Sequence, residues 1–484
     1  MTTNYYIKCP VCGCVTRMRS PAGYIENTPV RVHCGKCEAL LTGYFVSDKK
    51  TLTCHFEPTN CTQEKPGEYD FYGEASGEVL CHKICKNTNF SELVPPFISP
   101  AMLNLQNIQL EVNEKYIDFA CYISELSSNW DKCRIPYDLF TKGQYDTLKI
   151  YCAEEAKKIN YTLNNEFDLQ RFLHFKYLYD FGMIFGNRKF EDTLIKINYE
   201  FYHLDKKQLN EYIQALMEGN KLSIAQSKMF SIMNDYIKIA LYIMPALSVM
   251  QFREGRIADK ENYGLSTCSF DDIKTFYMDS FETLADCCDI IKCLDNIKYR
   301  GNYNDFGTKM TLEKFNNNTK NGNRIKELQR NEFFSDIFNL SGDSNELRNA
   351  IGHNNYKYNG LTQALTYVPS KQEPDKIQTV FLLDVAMYCI ELMKSSIVLE
   401  FLVYELLREL YRNKYDVKLH PMFYKKVQGS NHCPCGSGKK YSQCCKQWVT
   451  TNKSIAPKFV LPLKSDMRMT PEKIMEYMKR TPNY

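Results

Sequence analysis

Cysteine is the residue type in this chain whose placement most clearly implies chemistry. Of 21 cysteines, nine precede residue 90, four lie between 433 and 445, and eight are scattered through the middle. Clusters at the ends point to metal, and scatter in the middle points to buried thiols. At the N-terminus Cys9-x2-Cys12 is followed by Cys34-x2-Cys37. Each Cys-x2-Cys turn lets two thiolates converge on one ion while backbone amides face the sulfurs. Two such turns supply the four soft ligands of a closed tetrahedral structural zinc site. Gly13 and Gly35 stand where these turns need relaxed backbone. Cys14 and His33 compete for a ligand place, and Cys54, Cys61, Cys81 and Cys85, with His55 and His82, could hold a third ion.

In the long middle one segment looks chemical, Glu346-Leu347-Arg348-Asn349-Ala350-Ile351-Gly352-His353-Asn354-Asn355-Tyr356, where four residues separate Arg348 from His353. One reading is a helix end, with Arg348 on the surface, Gly352 as C-cap and His353 near the last carbonyls. The other has Leu347, Ala350 and Ile351 anchoring the segment to a bundle while Arg348 and Asn349 project. Gly352 then breaks the helix and lets His353 turn back toward Arg348. Weaker candidates are Arg300-Gly-Asn-Tyr-Asn-Asp305, which reads first as an Asn/Gly turn, and Tyr356 and Tyr358, which either stack on bases or pack. Cys287, Cys288 and Cys293 read as core thiols, and His174 and His203 as packed or surface histidines.

The C-terminal cysteines lie in Cys433-Pro-Cys435-Gly-Ser-Gly-Lys-Lys-Tyr441-Ser-Gln-Cys444-Cys445. Over about 20 residues this resembles the SEC-C motif, a short zinc-binding tail best known from the bacterial preprotein translocase ATPase. The resemblance implies that Cys433, Cys435, Cys444 and Cys445 are zinc ligands, that Gly436 and Gly438 allow the tight turn, and that Lys439 and Lys440 form a small basic face. It implies a docking module on a bacterial protein and names no reaction. Four cysteines per site leave no open coordination position, so both sites are expected to be structural.

The elements that must position these groups differ along the chain. Residues 1–50 read as a four-cysteine zinc ribbon and 51–95 as a Cys-containing β-rich extension, with short alternating runs at Val30 to His33 and Leu41 to Val46. From about residue 96 helical periodicity takes over, in Glu111 to Leu126, Leu169 to Phe185, Ala225 to Val249, Phe270 to Ile297 and Ile377 to Tyr411. The fold class is therefore mainly α, with a helical region over 96–225, a bundle over 226–420, a zinc knuckle at 428–450 and a polar tail at 451–484. Residues 301–325, rich in Asn, read as an exposed loop. The net charge of +4 does not imply nucleic acid without a local basic surface. Ile239 to Phe252 is interrupted by Pro245. Val380 to Leu407 carries Asp384, Glu391, Lys394, Glu400 and Glu405 as a polar stripe, so a cytoplasmic protein without membrane spans is expected.

With Arg348-Asn349-x3-His353 set in such a helical region, the segment resembles the HEPN superfamily, small helical bundles with an Arg-x4-6-His motif and often a polar residue after the Arg. The resemblance covers about residues 226–420. It implies metal-independent RNA cleavage, with His353 in proton transfer at the attacking 2′-hydroxyl or the leaving oxygen. Arg348 would stabilise charge on the phosphoryl oxygens, and Asn349 would orient the phosphate or the His. One His cannot easily act as both acid and base at one phosphate, so a homodimer lining one cleft is implied, giving a cyclic phosphate and a 5′-hydroxyl. The expected setting is bacterial stress, toxin-like action or phage defence, with the zinc modules docking on RNA, a ribosome or a protein. The alternative is a non-catalytic scaffold that binds protein or nucleic acid. Regulatory DNA binding by the N-terminal ribbon lacks a basic stretch to support it.

Overall fold

Short strands and tight turns build the N-terminal part, and the turns carry the cysteines. A computed structural model describes residues 2–48, 51, 53–86, 120–159, 161–185, 188–253, 259–307, 310–318, 322–325, 342–369, 375–415, 427–433 and 437–446. Strands β1 (Thr2–Lys8) and β2 (Val15–Pro21) pair from Thr2↔Pro21 to Lys8↔Val15, so Cys9 to Cys14 form their turn. β3 (Asn27–His33) and β4 (Leu40–Asp48) repeat this, with His33 opposite Leu40 and the second Cys-x2-Cys between them. β5 (Thr53–Pro58) pairs with β4, β6 (Thr62–Glu64) with β1, and β7 (Phe71–Glu74) runs parallel to β2. The pairing of β4 with β5 crosses residue 50. Tyr5, Ile7, Met18, Val30, Phe45, Phe56 and Phe71 fill the space under both turns, and Tyr5 stacks on Phe56 at 4.7 Å. Burying each such side chain contributes about 1.5–3 kcal/mol.

β8 (Cys81–His82) leaves this unit and pairs with β9 (Tyr263–Gly264) of the helical body. The body begins with helical residues 120–128, α1 (Trp130–Cys133), α2 (Ile135–Thr141), α3 (Tyr145–Lys158) and α4 (Glu166–Phe185). α5 (Arg188–Tyr202), α6 (Lys206–Glu218), α7 (Lys221–Ala240) and α8 (Met244–Arg253) follow. Beyond β9 come α9 (Phe270–Ala285), α10 (Cys288–Arg300), α11 (Leu312–Asn318) and α12 (Gly342–Gly352). A small antiparallel sheet of β10 (Tyr356–Asn359), β11 (Ala364–Tyr367) and β12 (Gln378–Phe381) precedes α13 (Leu382–Tyr415). The 34-residue α13 is the axis of the core, packed by α4, α7, α8 and α9. Its partners thus come from both sides of residue 225. Among the described residues no helix is long and apolar enough to cross a membrane.

The mainly helical body agrees with the sequence reading, but several elements do not. The helix expected from Ile377 begins only at Leu382, because residues 378–381 pair with β11 as a strand. Asp384 Oδ2 accepts the Phe381 N–H at 3.0 Å and marks the helix start, half of a capping box. The helix expected from Ala225 to Val249 is two, parted at residues 241–243 ahead of Pro245, whose missing N–H suits a first turn. The Phe270 to Ile297 helix also divides, at Cys287, where φ −102° and ψ 3° leave the helical region. The expected 301–325 loop holds α11 and a helical turn at 322–325. Of Glu111 to Leu126, only the part from residue 120 lies within the described residues, and the tail at 451–484 lies outside them.

The polar stripe on α13 is the largest departure. Glu391 and Lys394 pair at 3.0 Å near the surface, but Glu400 and Glu405 are buried outright. A buried carboxylate needs partners, and each has them. Glu400 Oε2 lies 2.8 Å from His174 Nδ1, whose ring stacks on Tyr404 at 3.7 Å. Glu405 Oε2 accepts from Arg408 Nη2 and from the Tyr202 hydroxyl at 3.0 Å.

Candidate functional site

The four thiols at the hairpin turns converge. Cys9, Cys12, Cys34 and Cys37 present sulfurs that all lie within 4.8 Å of one another, with Cys9–Cys37 at 3.6 Å and Cys12–Cys34 at 3.5 Å. A tetrahedral ion with bonds of about 2.3 Å to sulfur needs sulfurs roughly 3.8 Å apart, so the set fits such an ion. Both turns share one backbone design. Gly13 N–H donates to Cys9 O at 3.0 Å and Glu38 N–H donates to Cys34 O at 2.9 Å. Gly13 has φ +71° and Glu38 has φ +60°, so the left-handed residue follows the second Cys each time. The sequence reading placed the second relaxed position at Gly35. Gly35 serves instead as a contact, since a Cβ there would sit 2.3 Å from the Phe71 ring. The Cys14 N–H aimed at its sulfur draws the Cys12 thiol down to about 7.

The competitors stand aside. Cys14 is buried beside Asp70, and burial pushes its thiol up to about 12. His33 places Nδ1 2.8 Å from Glu38 O and its ring against Tyr358. The third ion has no site here: Cys54, Cys61, Cys81 and Cys85 are all described, yet the metal-competent groups among the described residues are only the two terminal clusters. Cys54, Cys61 and Cys81 instead face Ser47 Oγ, Thr42 O and Val79 O on different strands and turns.

At the other end Cys433, Cys444 and Cys445 gather within 4.8 Å, and Cys435 lies outside the described residues, as does Gly436. Cys433 N–H donates to Lys439 O at 2.7 Å, closing a turn in which Gly438 has φ +72°. Tyr441 is buried, donates its N–H to Asn431 O at 2.8 Å, and opens a short 3-10 turn that delivers Cys444 and Cys445. Residues 431–447 match the SEC-C motif. Lys439 and Lys440 of the SEC-C segment are exposed, while Cys433, Tyr441 and Cys445 join the apolar core of the helical body. No curated protein and no solved structure matches the chain.

The Arg348 segment is the end of α12. Leu347, Ala350 and Ile351 are buried, as the second sequence reading required, and Arg348 and Asn349 are half-buried. The helix ends otherwise than either reading expected. Gly352 is its last residue, His353 is the C-cap, and Asn354 takes the left-handed conformation at φ +54°. Asn355 N–H donates to Ala350 O at 2.8 Å and Asn354 N–H to Ile351 O at 3.1 Å, the two bonds of a Schellman end. Asn tolerates this backbone because its short polar side chain bonds locally. His353 is exposed, and it lies four residues beyond Asn349, so the two share a helix face. Arg348 Nη1 donates to Asn349 Oδ1 at 3.0 Å, linking the guanidinium to that face. Its Nη2 forms an ion pair with Glu282 of α9, a partner that no local pattern could reveal.

The weaker candidates are structural. Tyr356 and Tyr358 pack against Phe270 at 5.3 and 5.5 Å. Arg300 Nη1 donates to Asp305 O at 2.8 Å across the turn after α10, whose C-cap Gly301 has φ +72°. Cys287, Cys288 and Cys293 are buried. The N-terminal unit is docked on the body. Arg31 N–H donates to Ser266 O at 2.8 Å, and its guanidinium lies 5.2 Å over Tyr242 and 5.6 Å over Tyr44. Lys83 Nζ donates to Lys260 O at 2.7 Å and Thr362 O at 2.6 Å.

Proposed function

We propose that the chain is a metal-independent endoribonuclease of the HEPN type, acting in the cytoplasm of a bacterium under stress or phage attack. The reading rests on one arrangement: Arg348 and Asn349 joined side chain to side chain on α12, with His353 exposed at its C-cap on the Asn349 face. In this reading His353 exchanges a proton with the 2′-hydroxyl or the leaving oxygen, and Arg348 meets charge growing on the phosphoryl oxygens. Asn349 holds the guanidinium in place. A second copy supplies the other proton-transfer group, so the working form is a homodimer. Zinc in the Cys9/Cys12/Cys34/Cys37 cluster and in the C-terminal cluster, completed by Cys435, cross-links turns and takes no part in the reaction. The SEC-C segment, with exposed Lys439 and Lys440, docks on RNA, a ribosome or a protein.

One observation favours the second reading, a non-catalytic scaffold: the Arg348 guanidinium is engaged by Glu282. The deciding experiment incubates purified protein with mixed RNA in EDTA, beside His353→Ala and Arg348→Ala. Cleavage that persists in chelator and is lost in both variants supports the enzyme. Cleavage retained by His353→Ala, or absent from wild type across RNAs and partners, refutes it.

A further inference from the structure

α9 runs antiparallel to α12 and to the chain that follows it, and three contacts fix the register. Glu282 takes the Arg348 guanidinium, Met278 Cε lies 3.2 Å from where a Cβ on Gly352 would sit, and the Phe270 ring stands 5.3 Å from Tyr356. Phe270, Met278 and Glu282 belong to one i, i+4 ridge whose remaining member is Lys274. From Met278 to Phe270 the helix advances about 12 Å at about 1.5 Å per residue. Four residues from Gly352 to Tyr356 would span about 13 Å only if extended, and the Schellman end shortens that reach, so the stretch between the two contacts lies within the length of α9 from Met278 to Phe270. Lys274 lies between these two contacts on the ridge, on the side of α9 that meets the chain from Gly352 to Tyr356.

We infer that Lys274 is a backbone-phosphate contact of the Arg348–His353 site, holding an RNA phosphate next to the one that is cut. This rests on the ribonuclease reading. Arg348 is already neutralised by Glu282, so an arriving polyanion needs another cation at this face. Lys274 can supply it. Its ion pair is with Asp271 at 2.6 Å, three residues back on its own helix, and the Asp271 side chain is 77% exposed. Such a pair is screened by water and exchanges readily for a phosphate oxygen. After Asp271, Tyr356 also acts on the ammonium, which agrees with the register. Lys274 positions the strand and moves no proton, so its loss acts on binding ahead of turnover.

The test uses the full-length chain, Lys274→Gln and Lys274→Arg, with two probes of one sequence. One is a single-stranded RNA for kcat and KM, the other its fully 2′-O-methyl form, which lacks the attacking hydroxyl and reports binding alone. Lys274→Gln is expected to weaken binding three- to tenfold and to flatten the slope of log K against log salt by about 0.7. KM should rise by the same factor with kcat within twofold, and Lys274→Arg should restore both. Unchanged affinity and slope in Lys274→Gln overturn the assignment; if wild type still cuts RNA, the ribonuclease reading survives that result. Binding that loses its slope in Lys274→Gln, with no cutting by wild type, keeps the phosphate contact and sinks the nuclease. Wild type that neither binds nor cuts overturns both.

Discussion

Replacing His174 with alanine tests whether the buried hydrogen-bonded pair it forms with Glu400 holds the core together. His174 and Glu400 are 1% and 0% exposed, their nearest atoms are 2.8 Å apart, and Glu400 Oε1 has no hydrogen bond among the described residues. Alanine would strip the carboxylate of its ring partner and also remove the stack on Tyr404. Breaking a buried pair from one side costs about 3–5 kcal/mol, and an aromatic stack adds about 1 kcal/mol. At about 1–2 °C per kcal/mol for a body larger than 250 residues, His174→Ala should lower Tm by roughly 5–10 °C. Removing both polar groups is a different matter. His174→Phe with Glu400→Leu takes away the desolvation penalty along with the attraction and should recover most of the loss. Thermal melts by near-UV circular dichroism, with hydrogen exchange on α4 and α13, measure this. A shift under about 2 °C for His174→Ala, or a double variant no better than the single, would refute the reasoning.

The remaining tests concern the ends of the chain and the α12 cap. Glu38→Gly should stabilise the N-terminal unit by about 0.5–1 kcal/mol by relieving a left-handed side chain, whereas Gly35→Ala should destabilise it through the Phe71 ring, both read as Tm shifts. Cys14 is buried and Cys37 exposed, so access to reagent decides which of these thiols reacts. Mass mapping after iodoacetamide treatment of chelated protein should find exposed Cys37 alkylated and Cys14 intact, and equal labelling would contradict the burial. Released zinc, measured with a chromophoric chelator, should be two ions per chain and one for Cys9→Ser; a third ion would contradict the dispersal of Cys54, Cys61, Cys81 and Cys85. Asn354→Val should cost about 1–2 kcal/mol, since a β-branched residue resists the left-handed backbone, while Asn354→Gly should leave Tm unchanged or raised.

What the sequence made legible was local. Two thiols three positions apart can meet at one ion through local chain alone, so the pairing of Cys9 with Cys12 and Cys34 with Cys37 needed no tertiary information. The SEC-C segment was legible for the same reason. Arg348, Asn349 and His353 announced themselves by spacing, but Glu282 comes from a helix about 66 residues earlier and leaves no trace in the motif. The burial of Glu400 was hidden likewise, because its partner is 226 residues away. Where local rules misled, a competitor of similar strength won. Asn354 took the cap conformation assigned to Gly352, Glu38 took the one assigned to Gly35, and strand pairing to β11 claimed residues 378–381 from the helix.

The axis of the core is made after the helices that pack on it. α13 begins at Leu382, while α4, which packs on it, ends at Phe185. A ribosome adding about 5–20 residues per second needs roughly 10–40 s to cover the interval between them. Throughout that time α4 waits with its inner face uncovered, α7 joins it once residue 240 is made, and β8 waits in the same way for β9. Nascent chains of this protein should therefore depend on a holdase during synthesis, and a stop codon before residue 382 should yield an aggregating product instead of a smaller folded one.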